Sequence, residues 1–193
     1  MDIKKIIKEN FEESVKTSNA SSSELLTSIQ SATQKVIKII DSGGKILSCG
    51  NGGSSGDAQH LSSELVNRFE KERKEIAGIS LNSDTAIMTA IANDYDYKYI
   101  FAKQINALAN SKDLLVAFTT SGNSENILEA IKSAKTKQVS ILLITGNNGG
   151  NASKLLNDND IEIRVPSNRT SRIQEIHLII IHSICECIDH HIN

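Results

Sequence analysis

Apolar residues recur at helical spacing twice before any strand-like run appears. Ile3, Ile6, Ile7, Phe11 and Val15 form one stripe over residues 3–17, which predicts an amphipathic helix. Ser21-Ser22-Ser23-Glu24 then has the form of a capping box, with Ser21 as N-cap and Glu24 three residues on. A second stripe, Leu25, Leu26, Ile29, Val36, Ile37 and Ile40, runs from there to a stop at Ser42-Gly43-Gly44. Beyond this point the pattern changes. Short continuous apolar runs occupy residues 45–49, 77–81, 113–119, 139–145 and 161–165, each followed by a polar loop and a helical segment. One of these helices starts near Asp84, and the last follows the only proline, Pro166, and spans about residues 170–189.

Apolar strands alternating with helices predict a parallel sheet covered on both faces. The expected fold is α/β, a doubly wound, five-stranded, flavodoxin-like sheet with extra N-terminal helices. No linker divides the chain, so residues 1–193 are read as one domain: helices over 1–42 suited to subunit packing, and an α/β core over 43–193. Ligands of such sheets bind beyond the carboxyl ends of the strands, where this chain concentrates its Gly, Ser, Thr and Asn.

A formal net charge of −2 gives no global attraction to nucleic acid or to an anionic membrane. No apolar run approaches the roughly 20 residues that span a bilayer. The opening MDIKKIIKENFEE is interrupted by charge too often for a signal peptide, and the expected location is cytoplasmic. The three cysteines, Cys49, Cys185 and Cys187, lack zinc-site spacing and are read as buried, reduced thiols. On a helix, Cys185 and Cys187 point about 200° apart.

Two loops carry the first candidate chemistry. Asn51-Gly52-Gly53-Ser54-Ser55 lies between a strand and a helix, where glycines allow close backbone approach and a helix start favours an anion. It has neither Walker nor dinucleotide spacing. Thr119-Thr120-Ser121-Gly122-Asn123-Ser124 occupies the equivalent place after another strand and offers four hydroxyls, some of which must cap the helix. Together the loops favour a phosphorylated small molecule. The absence of Lys and Arg from both argues against nucleoside triphosphates.

His60 and Glu64 share one helix face at i,i+4. That spacing suits two ligands of one metal, a carboxylate orienting an imidazole, or an exposed pair without function. The last helix is strongly apolar after Gln174 and should be largely buried, so its His182 needs a partner or a task. His177 is ambiguous, and His190 and His191 read as a solvated tail. The segment Ala92-Asn93-Asp94-Tyr95-Asp96-Tyr97-Lys98-Tyr99 holds all three tyrosines and is either a helix-ending turn or a set of sugar contacts.

Four stretches, CGNGGSSGDAQHLSSEL (49–65), IANDY (91–95), TTSGNSENILEA (119–130) and TSRIQEIHLIIIHSICECID (170–189), together resemble the sugar isomerase (SIS) domain family, and within it the phosphoheptose isomerases. The resemblance covers nearly the whole chain. It implies an aldose–ketose isomerase converting sedoheptulose 7-phosphate to D-glycero-D-manno-heptose 7-phosphate through an enediol(ate), for nucleotide-heptose and surface polysaccharide biosynthesis. It implies a homotetramer with one Zn2+ per subunit. Substrate contacts would fall on Asn51, Gly52, Gly53, Ser55, Asn93, Asp94, Thr119, Thr120, Ser121, Ser124 and Gln174. Metal ligands would be His60, Glu64, Gln174 and His182, and acid–base chemistry would belong to Glu64 and His182. Gly56 stands where Ala is usual, and residues 167–171 lie in a variable stretch; neither removes an implied ligand.

Two features resist that assignment. A zinc-bound Glu or His is a poorer proton acceptor, so ligand and base roles would have to alternate. Gln174 and His182 are also eight residues apart, about 12 Å of helix rise, which calls for an irregular start to the last helix or for a neighbouring subunit. The competing readings are a non-catalytic SIS paralogue that binds the DnaA replication initiator and a sugar-phosphate-binding regulator. Neither needs Glu64 and His182.

Overall fold

The computed structural model describes residues 1–192. Two helices lead: α1 (Ile3–Glu24), whose N-cap Asp2 accepts from the Lys5 amide at 3.1 Å, and α2 (Leu26–Asp41). Only Leu25 separates them, so the expected capping box does not form. Instead Ser22 and Ser23 donate back to the Asn19 carbonyl, a bond that keeps a serine inside a helix rather than ahead of one. The chain bends at Leu25, which is buried and donates to Ser21 O at 2.9 Å.

Five strands follow where the apolar runs lie: β1 (Ile46–Gly50), β2 (Gly78–Ser80), β3 (Leu114–Phe118), β4 (Ser140–Thr145) and β5 (Ile161–Arg164). All pair in parallel in the order β2-β1-β3-β4-β5. Side chains alternate between the faces. Ile46, Leu114, Val116, Phe118, Leu142 and Ile144 meet α2, α3 (Gly53–Val66) and α8 (Thr170–Ile192). Leu47, Cys49, Leu115, Ala117, Ile141 and Leu143 meet the opposite layer, which includes α4 (Thr85–Asp94), α5 (Ile100–Leu108), α6 (Glu125–Thr136) and the short α7 (Gly150–Ser153). The winding reverses between β1 and β3, and that switch point opens a crevice at their carboxyl ends.

Three expectations need correction. The last helix is not buried all round: Leu178 is 38% and Ile179 49% exposed, because α8 has a second apolar face turned away from the sheet. Cys187 is exposed, while Cys49 and Cys185 are buried; all three are free thiols. His190 and His191 are exposed, as expected, but form the last turn of α8 and not a tail, with His190 Nδ1 3.0 Å from Lys71 Nζ and His191 Nε2 3.1 Å from the Asp41 carboxylate. The α1 stripe exists as the pattern demands, yet Ile7, Phe11 and Val15 stand exposed on it.

Buried carboxylates pin the sheet and α8. Asp113 accepts from the Lys45 amide at 3.0 Å, Lys45 Nζ at 2.5 Å and the Asn110 amide at 2.8 Å, tying the start of β1 to the start of β3. Burial pushes its carboxyl up, but these donors outweigh it and hold the group below the usual range. Asp189 is likewise held low, its burial offset by the Lys71 amide, the Arg73 guanidinium and the Glu70 amide. A carboxyl lowered on folding contributes stability above its unfolded value, about 3.9, and loses it as pH falls through the folded value. Urea midpoints should therefore drop as pH falls below about 4, and Asp113→Asn should flatten that acid limb.

Candidate active site

Two helices that begin beside the crevice, α3 and α8, run side by side under it, and the candidate residues form rungs between them. Gly53 faces Gln174: a Cβ at residue 53 would lie 2.5 Å from Gln174 Nε2. Asp57 faces His177, with Oδ2 3.8 Å from Nδ1. His60 faces His182, their Nε2 atoms 2.9 Å apart. Further along, the Cys185 thiol is pushed up to about 12 by burial first and by the field of the Glu64 carboxylate next. The partners stay about 120 residues apart down the pair, as two parallel helices in fixed register require.

The upper rungs line a cleft of about 310 Å³, walled by Asn51, Gly52, Gly53, Ser54, Phe118, Thr119, Thr120, Thr170 and Gln174. Its floor demands glycine at residue 50, where a Cβ would meet Ser54 O at 2.2 Å. Gly52 enters α3 with φ +55°, and Ser55 Oγ donates to its carbonyl at 2.7 Å. In the second loop Thr119 is buried, with Oγ1 accepting from the Gly122 amide at 3.1 Å, and Ser121 Oγ accepts from the Asn123 amide at 3.2 Å. Ser124 is the N-cap of α6, but only its backbone carbonyl takes the helix bonds; its hydroxyl makes no capping bond. Thr119 and Ser121 thus shape the loop, and Thr119 and Thr120 both line the cleft.

Sequence reasoning missed how the loops are joined. Asn51 and Asn126 exchange two amide hydrogen bonds, both 2.8 Å, across the switch point. Asn126 is buried in the first turn of α6, and no local sequence signal marks it, because its burial follows from packing across the switch point. Tyr97 OH donates to Asn51 Oδ1 at 3.3 Å, linking the tyrosine segment to the same loop. Asn93 and Asp94, at the exposed end of α4, bond each other at 2.9 Å. Behind the second loop, Asn147 Nδ2 donates to Thr120 O at 2.9 Å.

The lower rungs gather the ionisable groups. His60 Nε2 lies 3.6 Å from Glu64 Oε1, and Phe69 packs on the His182 ring at 5.4 Å between centroids. The Glu64 side chain is 18% exposed, so it is reachable yet partly dry. Of the two touching ring nitrogens, one must carry the hydrogen and the other offer its lone pair. Below the cleft, the fully buried His177 has Nε2 3.1 Å from Thr145 O. Its Nδ1 and Asp57 Oδ2 face each other with no hydrogen-bond partner.

Two imidazoles and a carboxylate are a donor set that suits zinc. Among the described residues no three His, Cys, Asp or Glu side chains are placed to hold one ion as they stand. The 2.9 Å between ring nitrogens is shorter than the roughly 3.3 Å between two nitrogens on a tetrahedral zinc. The fit therefore needs a small spreading of His60 and His182. Gln174 stands apart, on the upper rung. The irregular helix start expected from its spacing is not found, because α8 runs unbroken from Thr170 through His182.

The profile of the SIS domain family matches residues 10–146. A phosphoheptose isomerase of Alteromonas mediterranea is 49% identical over 183 residues, 95% of this chain and 92% of that one. One from Colwellia psychrerythraea is 51% identical, over 95% and 93% of the two chains. The solved phosphoheptose isomerase of Neisseria gonorrhoeae superposes with a TM-score of 0.94 at 38% identity, covering 98% of this chain and all of that one. That of Francisella tularensis superposes at 0.93 with the same identity.

Gly122 tests how tightly the second loop is built. It has φ +67°, and a Cβ there would lie 1.9 Å from Gly149 O. Gly122→Ala should cost about 2–3 kcal/mol, read as a fall of about 4–12 °C in thermal midpoint, while Gly56→Ala, in open space within α3, should raise the midpoint by a few degrees, because alanine favours a helix over glycine by about 0.5–1 kcal/mol.

Proposed function

The chain belongs to the SIS domain family, and from that premise we infer that it is a phosphoheptose isomerase, interconverting sedoheptulose 7-phosphate and D-glycero-D-manno-heptose 7-phosphate for heptose biosynthesis. The observation that carries this reading is the convergence of His60, Glu64 and His182 below a hydroxyl-lined cleft, in a chain about half identical to proteins of that name. A regulator that only bound a sugar phosphate would have no use for the lower group.

The phosphate is held by the upper loops, by Thr120 and Ser124 together with Ser55, Ser121 and backbone amides at the starts of α3 and α6, with no cation from either loop. Asn51, Gly52, Gly53, Asn93, Asp94 and Gln174 contact the sugar. Phosphate binding at one end positions the reacting carbons at the other. Glu64, as carboxylate, takes the proton from C1; the electron pair forms the C1–C2 double bond and the carbonyl oxygen at C2 gains a proton. The proton then returns to C2 while O1 gives up its own, leaving the aldehyde. His182 manages the proton on oxygen, and His60 holds His182 in one tautomer.

Zinc fits this group: His60, Glu64 and His182 would hold it, with Gln174 of a neighbouring copy or water as the remaining ligand. When bound, it would supply Lewis-acid stabilisation of the developing enediolate charge. The enzyme is a homotetramer in the cytoplasm by the same reading. Supporting assembly are the exposed apolar side chains of α1, Phe11 at 72% and Val15 at 59%, and an apolar groove of about 600 Å³ between the leading helices and α8, lined by Leu26, Ile29, Ile176 and Ile179.

Incubation with sedoheptulose 7-phosphate in deuterated water, followed by NMR, should give aldose product with deuterium entering at C1 or C2. Glu64→Gln should lower turnover and exchange by about 100-fold or more; tight sugar-phosphate binding without either process would sink the isomerase reading. Zinc at about 100 times its Kd should stabilise the fold by about 2.7 kcal/mol, seen as a raised thermal midpoint. The rise should vanish in His60→Ala, and its persistence there would place the ion elsewhere.

A further inference from the structure

Below the lowest rung lies a fully buried ion pair that the chemistry above does not use. Arg73 belongs to the segment between α3 and β2, and Asp189 lies on α8 two turns beyond His182. Their side chains are 0% and 1% exposed, and Arg73 Nε donates to Asp189 Oδ1 at 2.7 Å. The rest of the guanidinium reaches backbone carbonyls: Nη2 donates to Glu64 O at 2.6 Å, and Nη1 to Leu65 O at 3.0 Å and to Lys74 O, outside α3, at 3.2 Å. The other carboxylate oxygen of Asp189 accepts from the amides of Glu70 and Lys71 at 2.8 and 2.9 Å.

We propose that Arg73 is a positioning residue for proton transfer, a planar clamp that fixes the last turn of α3, and with it Glu64, against the helix that carries His182. The assignment rests on the isomerase reading of Glu64. Three observations point the same way. The α3 carbonyls that Arg73 grips belong to Glu64 itself and its neighbour, in a terminal turn where helix carbonyls lack their own partners. A cation at that end is also favoured by the helix dipole. The acceptor on the other side, Asp189, is seven residues from His182 and so on the same face of α8. One rigid group therefore spans the backbone of the proposed base and the helix of the proposed acid. A lysine could hold only one side, because it lacks the fork. Burial of the charges is not in itself evidence of a purely stabilising role, since apolar pairs of similar volume often stabilise a core as well as a buried ion pair does.

The test uses the full-length zinc-loaded protein, Arg73→Lys, and the double variant R73M/D189L, which removes both charges together. Circular dichroism and thermal melting establish folding. Steady-state kinetics with sedoheptulose 7-phosphate should show kcat down about 10-fold to 100-fold, the penalty of a misplaced group, with KM within about twofold. Imidazole NMR resonances of His60 and His182 should move in both variants, while those of His177, held from Thr145 on the upper part of α8, stay. A folded variant with kcat within about twofold of the parent, or one in which KM alone changes, overturns the inference. Failure of both variants to fold assigns the pair to stability and overturns it too. If the parent itself gives no turnover, the isomerase reading has failed, and the imidazole spectra alone decide whether Arg73 sets the geometry of the pair.

Discussion

The site depends on one packing arrangement, the parallel contact of α3 and α8 on a single face of the sheet. Both helices start at the crevice and run away from it, so each successive turn of one meets the corresponding turn of the other. Gln174 lies over Gly53, His177 faces Asp57 and His182 touches His60. A slip of either helix by one turn would separate every one of these pairs at once. The apolar side chains between them, including Ala58, Leu61, Leu65, Ile173, Ile181 and Ile184, hold that register because a close-packed core has few alternative settings.

This geometry divides the labour along the helix axis. The upper end offers hydroxyls, amides and backbone, groups that bind a phosphate without a permanent charge. The lower end offers two imidazoles and a carboxylate, flanked by Phe69 and partly withdrawn from water. Gln174 and His182 are separated by about 12 Å of rise, so the two ends are distinct in place as well as in chemistry. The Asn51–Asn126 amide exchange joins the two loops into one rim, and Asn147 supports that rim from the third loop. The loop rim and the ionisable group are thus held by different contacts, the one by amides across the switch point and the other by the packing of α3 on α8.

Much of the fold was legible because its signals are local. Five apolar runs, each too short and too continuous for an amphipathic helix, marked five parallel strands to within a residue or two at their ends. Glycine and hydroxyl clusters marked the loops at the strand ends. Where a local signal had two outcomes, it misled. Ser21–Glu24 matches a capping box, but the same serines can donate back to Asn19 and continue the helix. The apolar run of α8 has side chains on two faces, and only the packed molecule shows which face the sheet takes and which it leaves open.

Residue types and spacing by themselves determined that this chain forms a parallel α/β sheet, that its strand ends suit an anion, and that His60 and Glu64 lie on one side of a helix. Each of these follows from backbone periodicity and from what glycine, serine and histidine can do within a few residues. Only the tertiary structure decided that His182, 122 residues on, meets His60, that Asn126 bonds Asn51, and that Arg73 closes the end of α3 on Asp189. Those contacts depend on the order of strands in the sheet and on the register of two helices packed upon it. Such quantities arise from long-range packing of the whole core, and no short stretch of sequence carries them.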